Sequence, residues 1–282
     1  MTTTLLAGLF GQPLHRSLSA ELFGIFARLT GEEISYEPRE VPASSLASEI
    51  ARAEAAGWSG FNVTIPHKAA VLSMLHLADP AAKAAGAVNT VRFGKRGLEG
   101  INTDARALVE IFAEKGINTE GRAAAVFGAG GAAGAAGWAL GRSRAAEVMF
   151  CARNAGEASK LSSRLSACFP GTAFSVSPFT QPPRKPNIII NATPLGMYAP
   201  GMPPCGPQEA SACLDMAYSA GGTEFIKKAE AGGAAAVSGL EILVWQAALS
   251  LKYWSGLPAG DIVEFKREAL RLLREQLNKG IS

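Results

Sequence analysis

A five-residue apolar run, Ala123 to Phe127, ends in Gly128-Ala-Gly-Gly-Ala-Ala-Gly134 and continues as an alanine-rich stretch to Leu140. A buried strand, a tight glycine turn and a helix start are thereby placed in succession, which is the opening of a βαβ unit. The residues fit G-x-G-x-x-[G/A]. Gly128 allows the tight turn, Gly130 lets a pyrophosphate approach the backbone, and Ala133 permits close helix–strand packing. Ala129, Gly131 and Ala132 complete the loop, and the helix N-terminus offers free N–H groups and a positive dipole end to phosphates. A plain Gly/Ala-rich helix start is the bland alternative in a chain with 31 glycines. The flanking strand and helix favour the dinucleotide.

The next strand, Glu147 to Ala152, selects between dinucleotides. A carboxylate at its tip would bind a ribose 2′-hydroxyl and favour NAD. Arg153 and Asn154 stand there instead. A guanidinium favours the 2′-phosphate of NADP by charge and planar hydrogen bonding, unless Arg153 is simply a solvated surface residue.

Strand-like and helix-like segments alternate along the chain, which argues for an α/β fold with helical crossovers. Strands are expected at Leu5 to Phe10, Ile34 to Val41, Gly60 to Ile65, Val88 to Phe93 and Leu98 to Ile101. The last two flank a hairpin turn at Gly94-Lys-Arg-Gly97. Helices are expected at Ala20 to Leu29, Ser44 to Ala56, from Pro66 to Leu77, and Asp104 to Lys115. Beyond the glycine turn, a helix at Ala155 to Cys168 and short strands at Ile188 to Asn191 and Cys213 to Met216 follow. Helices at Gly239 to Trp254 and Asp261 to Asn278 close the chain. At ~150 residues per domain, 282 residues suggest two. Residues 1–103 read as an α/β substrate-binding domain, 104–238 as a Rossmann-type dinucleotide-binding domain, and 239–282 as helices returning to the first.

Charged residues are 18% and the net charge only +3, with no basic stripe, so nucleic acid is not expected as a partner. The apolar stretches are too short or interrupted to span a bilayer, and Met1-Thr-Thr-Thr lacks a basic n-region, so neither membrane nor secretion is expected. The cysteines, Cys151, Cys168, Cys205 and Cys213, form no CxxC pair, and there are three histidines. A metal site and a disulfide framework are therefore not expected, and a cytoplasmic protein with reduced thiols is.

Chemistry outside the glycine turn concentrates in Gly60-Phe-Asn-Val-Thr-Ile-Pro-His-Lys68. Period-two geometry sets Asn62 and Thr64 on one face and Phe61, Val63 and Ile65 on the other, with a cation just beyond. A half-exposed edge strand would read the same way. Ser17 and Ser19, Asn89-Thr90, and Asn102-Thr103-Asp104 are further polar clusters near strand ends. Each has an ordinary reading as a helix cap or turn. Together they suit a small polyhydroxylated acid, with Lys68 and Asp104 available for proton transfer.

At this point the chain resembles the shikimate dehydrogenase family over nearly its whole length. The resemblance rests on Gly11 to Ser19, Gly60 to Lys68, Gly86-Ala-Val-Asn-Thr90, Gly100-Ile-Asn-Thr-Asp104 and Gly128 to Ala133. It extends through Asn191-Ala-Thr193, Asp215-Met-Ala-Tyr218, and Ser238-Gly239 followed by Gln246. It implies reversible NADP-linked reduction of 3-dehydroshikimate to shikimate, in aromatic amino acid biosynthesis. By family pattern, Ser17 and Ser19 would hold the substrate carboxylate, and Asn62, Thr64, Asn89, Asp104, Tyr218 and Gln246 would line the ring hydroxyls. Lys68 would transfer the proton, paired with Asp104, while Met216 and Gly239 would sit near the nicotinamide and Thr193 would also bind cofactor. A monomer or homodimer is expected.

Some positions depart from that pattern. Glu157 stands where a second basic residue often follows Arg153, so NAD use remains open beside NADP. Ala20 and Ala105 replace a proline and a glycine, and Glu241-Ile242 a Gly-Met pair. A paralogue acting on quinate or another cyclitol acid is the alternative enzyme, and a non-catalytic metabolite sensor the alternative of a different class.

Overall fold

The computed structural model describes residues 4–256 and 259–279, with backbone only for 259–264. The leader expectation at Met1 to Thr3 lies outside the described residues. The chain divides into two compact units, one of residues 1–83, 87–103 and 243–282, the other of 84–86 and 104–242.

The first unit contains β1 (Leu5–Gly11), α1 (Ser19–Thr30), β2 (Ile34–Glu40), α2 (Leu46–Ala55), β3 (Gly60–Val63), α3 (Lys68–Leu72), β4 (Leu77–Ala78), α4 (Pro80–Ala85), β5 (Thr90–Gly94) and β6 (Gly97–Ile101). Its sheet runs β2-β1-β3-β5-β6-β4. β1 is parallel to β2 and β3, and the expected hairpin of β5 and β6 pairs antiparallel beside β3. Phe10, Trp58, Phe61, Val63 and Val91 form the core on one face. Each fully buried large side chain there contributes about 1.5–3 kcal/mol.

Two expectations fail locally. The third strand ends at Val63 rather than Ile65, and Ile65 is 53% exposed instead of facing the core. The helix expected as far as Leu77 stops at Leu72, and β4 and α4, which the sequence pattern did not suggest, follow it.

The second unit follows with α5 (Thr103–Glu114), β7 (Ala123–Phe127), α6 (Gly131–Arg142), β8 (Glu147–Ala152), α7 (Ala155–Cys168), β9 (Ala173–Pro178), β10 (Ile188–Asn191), β11 (Ala212–Asp215), α8 (Glu224–Ala231) and β12 (Ala235–Val237). All pairings are parallel, in the order β12-β11-β10-β7-β8-β9. The order reverses at β7, as in the doubly wound dinucleotide-binding arrangement. The expected Rossmann-type architecture is thus present, with β9, α8 and β12 added to it.

Two helices close the chain, α9 (Gly239–Ser255) and α10 (Ala259–Lys279). Trp254 of α9 donates its indole N–H to the Val91 carbonyl at 2.9 Å. It lies so near β3 that a Cβ on Gly60 would come within 2.3 Å of the indole nitrogen. Among the described residues no helix is long and apolar enough to cross a membrane, and no cluster of His, Cys, Asp or Glu is arranged to hold a metal ion.

Candidate active site

Lys68 is presented by a turn that three contacts hold. After β3 the Thr64 N–H donates to the Phe10 carbonyl at 2.9 Å, and the His67 N–H closes the turn onto the Thr64 carbonyl at 2.9 Å. The strand has already ended at Val63, and Pro66, inside that turn, has no N–H with which to resume the ladder. The buried His67 ring donates from Nε2 to the Val41 carbonyl at 2.6 Å. Lys68 then opens α3, half-buried, with its carbonyl accepting from the Val88 N–H at 3.0 Å.

The Ser17–Ser19 loop runs alongside. The Gln12 N–H donates to the Ile65 carbonyl at 2.9 Å, and the Leu14 N–H to Glu40 Oε1 at 2.6 Å. A side chain at Gly11 would collide with Thr64, its Cβ 2.2 Å from Thr64 Cγ2. The helix-cap reading of the two serines does not hold. The cap residue of α1 is Leu18, without a side-chain bond, and Ser19 is the first helical residue. The Ser17 hydroxyl contacts that of Ser19 at 3.3 Å.

Asn62 and Asn89 belong to a buried polar layer. Asn62 Oδ1 accepts from the Tyr36 hydroxyl at 2.8 Å. Asn62 Nδ2 reaches the Asn89 carbonyl, Thr90 Oγ1 and Ser250 Oγ, each at 3.0 Å. Asn89 Oδ1 accepts from the Thr103 N–H at 2.7 Å, while Asn89 Nδ2 donates to Thr103 Oγ1 at 2.9 Å and toward Gln246 Oε1 at 3.5 Å. The Ser250 hydroxyl donates to the Gln246 carbonyl at 2.8 Å, so toward Asn62 and Thr90 it accepts. No buried side-chain nitrogen or oxygen lacks a partner among the described residues. Thr90 and Thr103 stood out in the sequence only as members of polar clusters, without a role of their own, and Tyr36 and Ser250 were not singled out. The only signal for Ser250 was its spacing, one helical turn beyond Gln246 on α9.

In the second unit the glycine turn leaves β7 at the point where the strand order reverses, the usual ligand position in open α/β sheets. Gly128 has φ +121, and a Cβ there would lie 2.9 Å from the Ala192 carbonyl oxygen. A Cβ on Gly130 would meet nothing within 4 Å. Gly130 caps α6 without a side-chain bond, leaving the first N–H groups of the helix open. Ala129, Gly131 and Ala132 are half-buried, Gly130 is exposed and Ala133 is buried. These residues fit a pyrophosphate. The tightest packing of α6 falls one residue past the fingerprint, where a Gly134 Cβ would stand 2.3 Å from the Ala85 carbonyl oxygen.

Arg153 is exposed at the tip of β8 and forms no ion pair among the described residues. Asn154 caps α7, its Oδ1 accepting from the Glu157 N–H at 3.1 Å. The Glu157 carboxylate pairs with Lys160 at 2.9 Å, and that hydrogen bond lowers its pKa. Glu241 likewise has a partner, Lys115 Nζ at 2.8 Å. Thr193 follows β10, and half-buried Met216 and Tyr218 follow β11. A Cβ on Gly239 would come within 2.2 Å of the Ala217 carbonyl oxygen. Lys68 belongs to the first unit and Asp104, buried at the start of α5, to the second.

A cavity of about 750 Å³ lies elsewhere in the second unit, among Pro182, Pro183, Met202, Pro203 and Ile189. Its rims precede β10 and β11, whereas the glycine turn follows β7. It is lined by none of the candidate site residues.

A relative from Anaeromyxobacter dehalogenans (strain 2CP-1), named shikimate dehydrogenase (NADP(+)), is 37% identical over 266 residues, 92% of this chain and 93% of its own. The chain belongs to the shikimate dehydrogenase family. Residues 9–91 match the family described as shikimate dehydrogenase substrate binding domain. The crystal structure of shikimate 5-dehydrogenase from Thermus thermophilus in complex with NADP(H) and shikimate is 30% identical. It has a TM-score of 0.80 and covers 94% of this chain and 100% of its own. The ligand-free 5-ketofructose reductase of Gluconobacter sp. strain CHM43 is 27% identical, also with a TM-score of 0.80, over 95% of this chain and 99% of its own. Shikimate dehydrogenases are oxidoreductases, and the fold also serves a ketose reductase.

Proposed function

We propose that this protein catalyses the reversible NADP-linked reduction of 3-dehydroshikimate to shikimate, in the cytoplasm, as a monomer or homodimer. The observation that carries the reading is the match to NADP-named shikimate dehydrogenases along nine-tenths of both chains. The open Arg153 at the tip of β8, with no carboxylate in its place, supports NADP over NAD. Gly128 to Ala133, Arg153, Asn154, Thr193, Met216 and Gly239 would hold the cofactor, which supplies the hydride when bound.

Hydride addition to a ketone builds negative charge on oxygen. The Lys68 ammonium stabilises that charge and delivers the proton to the oxygen. The turn that carries Lys68 is bonded to β1 and to the end of β2, so the ammonium starts from a braced base and needs little reorganisation. Asp104 is the second proton-transfer group. Ser17 and Ser19 bind the carboxylate; the Ser17 hydroxyl accepts from the Ser19 N–H at 3.4 Å and has its own proton to donate to the ligand. Asn62, Thr64, Asn89, Tyr218 and Gln246 read the ring hydroxyls, and the polar layer holds the two asparagine amides in defined orientations.

The purified protein would be assayed with shikimate and with quinate, each with NADP and with NAD, following reduced nicotinamide. Shikimate turnover with NADP is expected. Quinate as the better acid, which Ala20 and Ala105 leave possible, would move the reading to a quinate-acting paralogue. No turnover of either acid would remove the dehydrogenase reading and favour a metabolite sensor.

A further inference from the structure

The hydride chemistry above makes no use of one buried carboxylate. Asp215 ends β11, is fully buried, and accepts three hydrogen bonds. Asn191 Nδ2 donates to its Oδ1 at 2.8 Å, the Ala217 N–H to the same oxygen at 2.9 Å, and the Thr223 hydroxyl to its Oδ2 at 2.6 Å. Those partners reach outward. Asn191 Oδ1 accepts from the Thr193 N–H at 3.1 Å and from its hydroxyl at 2.6 Å, and the Asn191 carbonyl accepts from the Met216 N–H at 2.9 Å. Thr223 caps α8 by accepting from the Ile226 N–H at 3.4 Å. Gly239 abuts the same loop, where its Cβ would lie 3.0 Å from the Asp215 carbonyl oxygen.

We propose that Asp215 is a positioning residue for the cofactor edge of the second unit. Its two oxygens hold the loop after β10, the loop after β11 and the cap of α8 in one arrangement, and that arrangement sets the affinity for NADP. The inference rests on the assignment of Thr193, Met216 and Gly239 to the cofactor.

A carboxylate suits this node because three donors converge on it. The two N–H groups at Oδ1 cannot reverse, but the hydroxyl at Oδ2 can. An amide in place of the acid keeps the Oδ1 bonds, puts a donor at the Oδ2 position and turns the Thr223 hydroxyl away. Protonation of the acid does the same. The groups facing the carboxylate, Asn191, Ala217 and Thr223, are all uncharged. Burial raises its pKa to about 6 against the three hydrogen bonds. Asp215→Asn therefore imitates the acid form at every pH.

NADPH binding to the full chain would be titrated by fluorescence at about pH 8 and about pH 5, for the native protein and Asp215→Asn, beside thermal melts. At the higher pH the variant should bind about tenfold more weakly, the loss of one hydrogen bond to a charged group. Its melting midpoint should be no lower, because it no longer buries a charge. Near pH 5 the native carboxyl is protonated and the two affinities should converge. The 2′-phosphate of the ligand titrates equally in both, so their ratio isolates Asp215. Thr223→Val, with Thr223→Ser as the restoring variant, applies the same test from the other partner. Equal affinities at pH 8, a ratio that ignores pH, or a loss that merely follows a lowered melting midpoint would overturn the inference. Failure of the native protein to bind NADPH would remove the cofactor reading and the inference with it.

Discussion

In the first unit the candidate site is built from side chains, and in the second from backbone. Asn62, Asn89, Thr90, Thr103 and Ser250 bond to one another in a buried, uncharged layer that joins β3, β5, Thr103 and α9. The glycine turn of the second unit offers a positive-φ residue, an open approach at Gly130 and the uncapped N–H groups of α6. A layer of amides and hydroxyls in which every buried polar atom has a partner can discriminate a pattern of ring hydroxyls, because a mismatched ligand leaves a buried polar group unpaired. A backbone cradle discriminates charge and shape at a phosphate, and any side chain that enters it is a defect. The first kind of site is tested by removing a polar group from the layer, the second by placing a side chain in the turn.

Four substitutions can break or sharpen that contrast. Lys68→Ala should lower kcat by about 10²–10⁴-fold with a smaller change in KM, because the charge it meets develops only in the transition state. Steady-state kinetics measures this, and an unchanged kcat would remove the proton-transfer role. Arg153→Ala should weaken NADP binding about tenfold or more while leaving NAD binding within about twofold, since only NADP carries the 2′-phosphate. Equilibrium titration with both nucleotides separates the two. Gly128→Ala forces a side chain onto φ +121 and toward the Ala192 carbonyl. It should cost about 1–3 kcal/mol of stability by denaturant unfolding and weaken NADP binding. Ser250→Ala is the mildest. It takes an acceptor from Thr90 and from Asn62 Nδ2, for about 1–2 kcal/mol, and should raise the KM for the acid a few-fold with cofactor binding unchanged.

The same contrast explains what could be read from the sequence. Backbone function leaves a contiguous mark, so β7, the turn and α6 were legible together from Ala123 to Leu140. In the same sheet β9 and β12 are the edge strands, partly exposed, and lack the apolar runs that reveal central strands. The strand expected through Ile65 ended at Val63 because the Thr64–His67 turn intervenes, and alternation alone gives no notice of a turn. In the polar layer Asn62 and Asn89 stood out beside strand ends. Ser250 did not, being 188 residues from Asn62 and ordinary in its own helix. Gly134 and Asp215 lay within conspicuous motifs, yet what they do depends on the Ala85 carbonyl and the Thr223 hydroxyl, which only the folded chain brings near.

The most direct test of this division is a pair of separate binding titrations, shikimate alone and NADP alone, on the native protein, Ser250→Ala and Gly128→Ala. The native protein should bind both ligands. Ser250→Ala should lose affinity for shikimate and keep it for NADP, and Gly128→Ala should do the reverse. Equal losses of both ligands in either variant, or losses exchanged between them, would contradict the assignment of the acid to the side-chain layer and of the cofactor to the glycine turn.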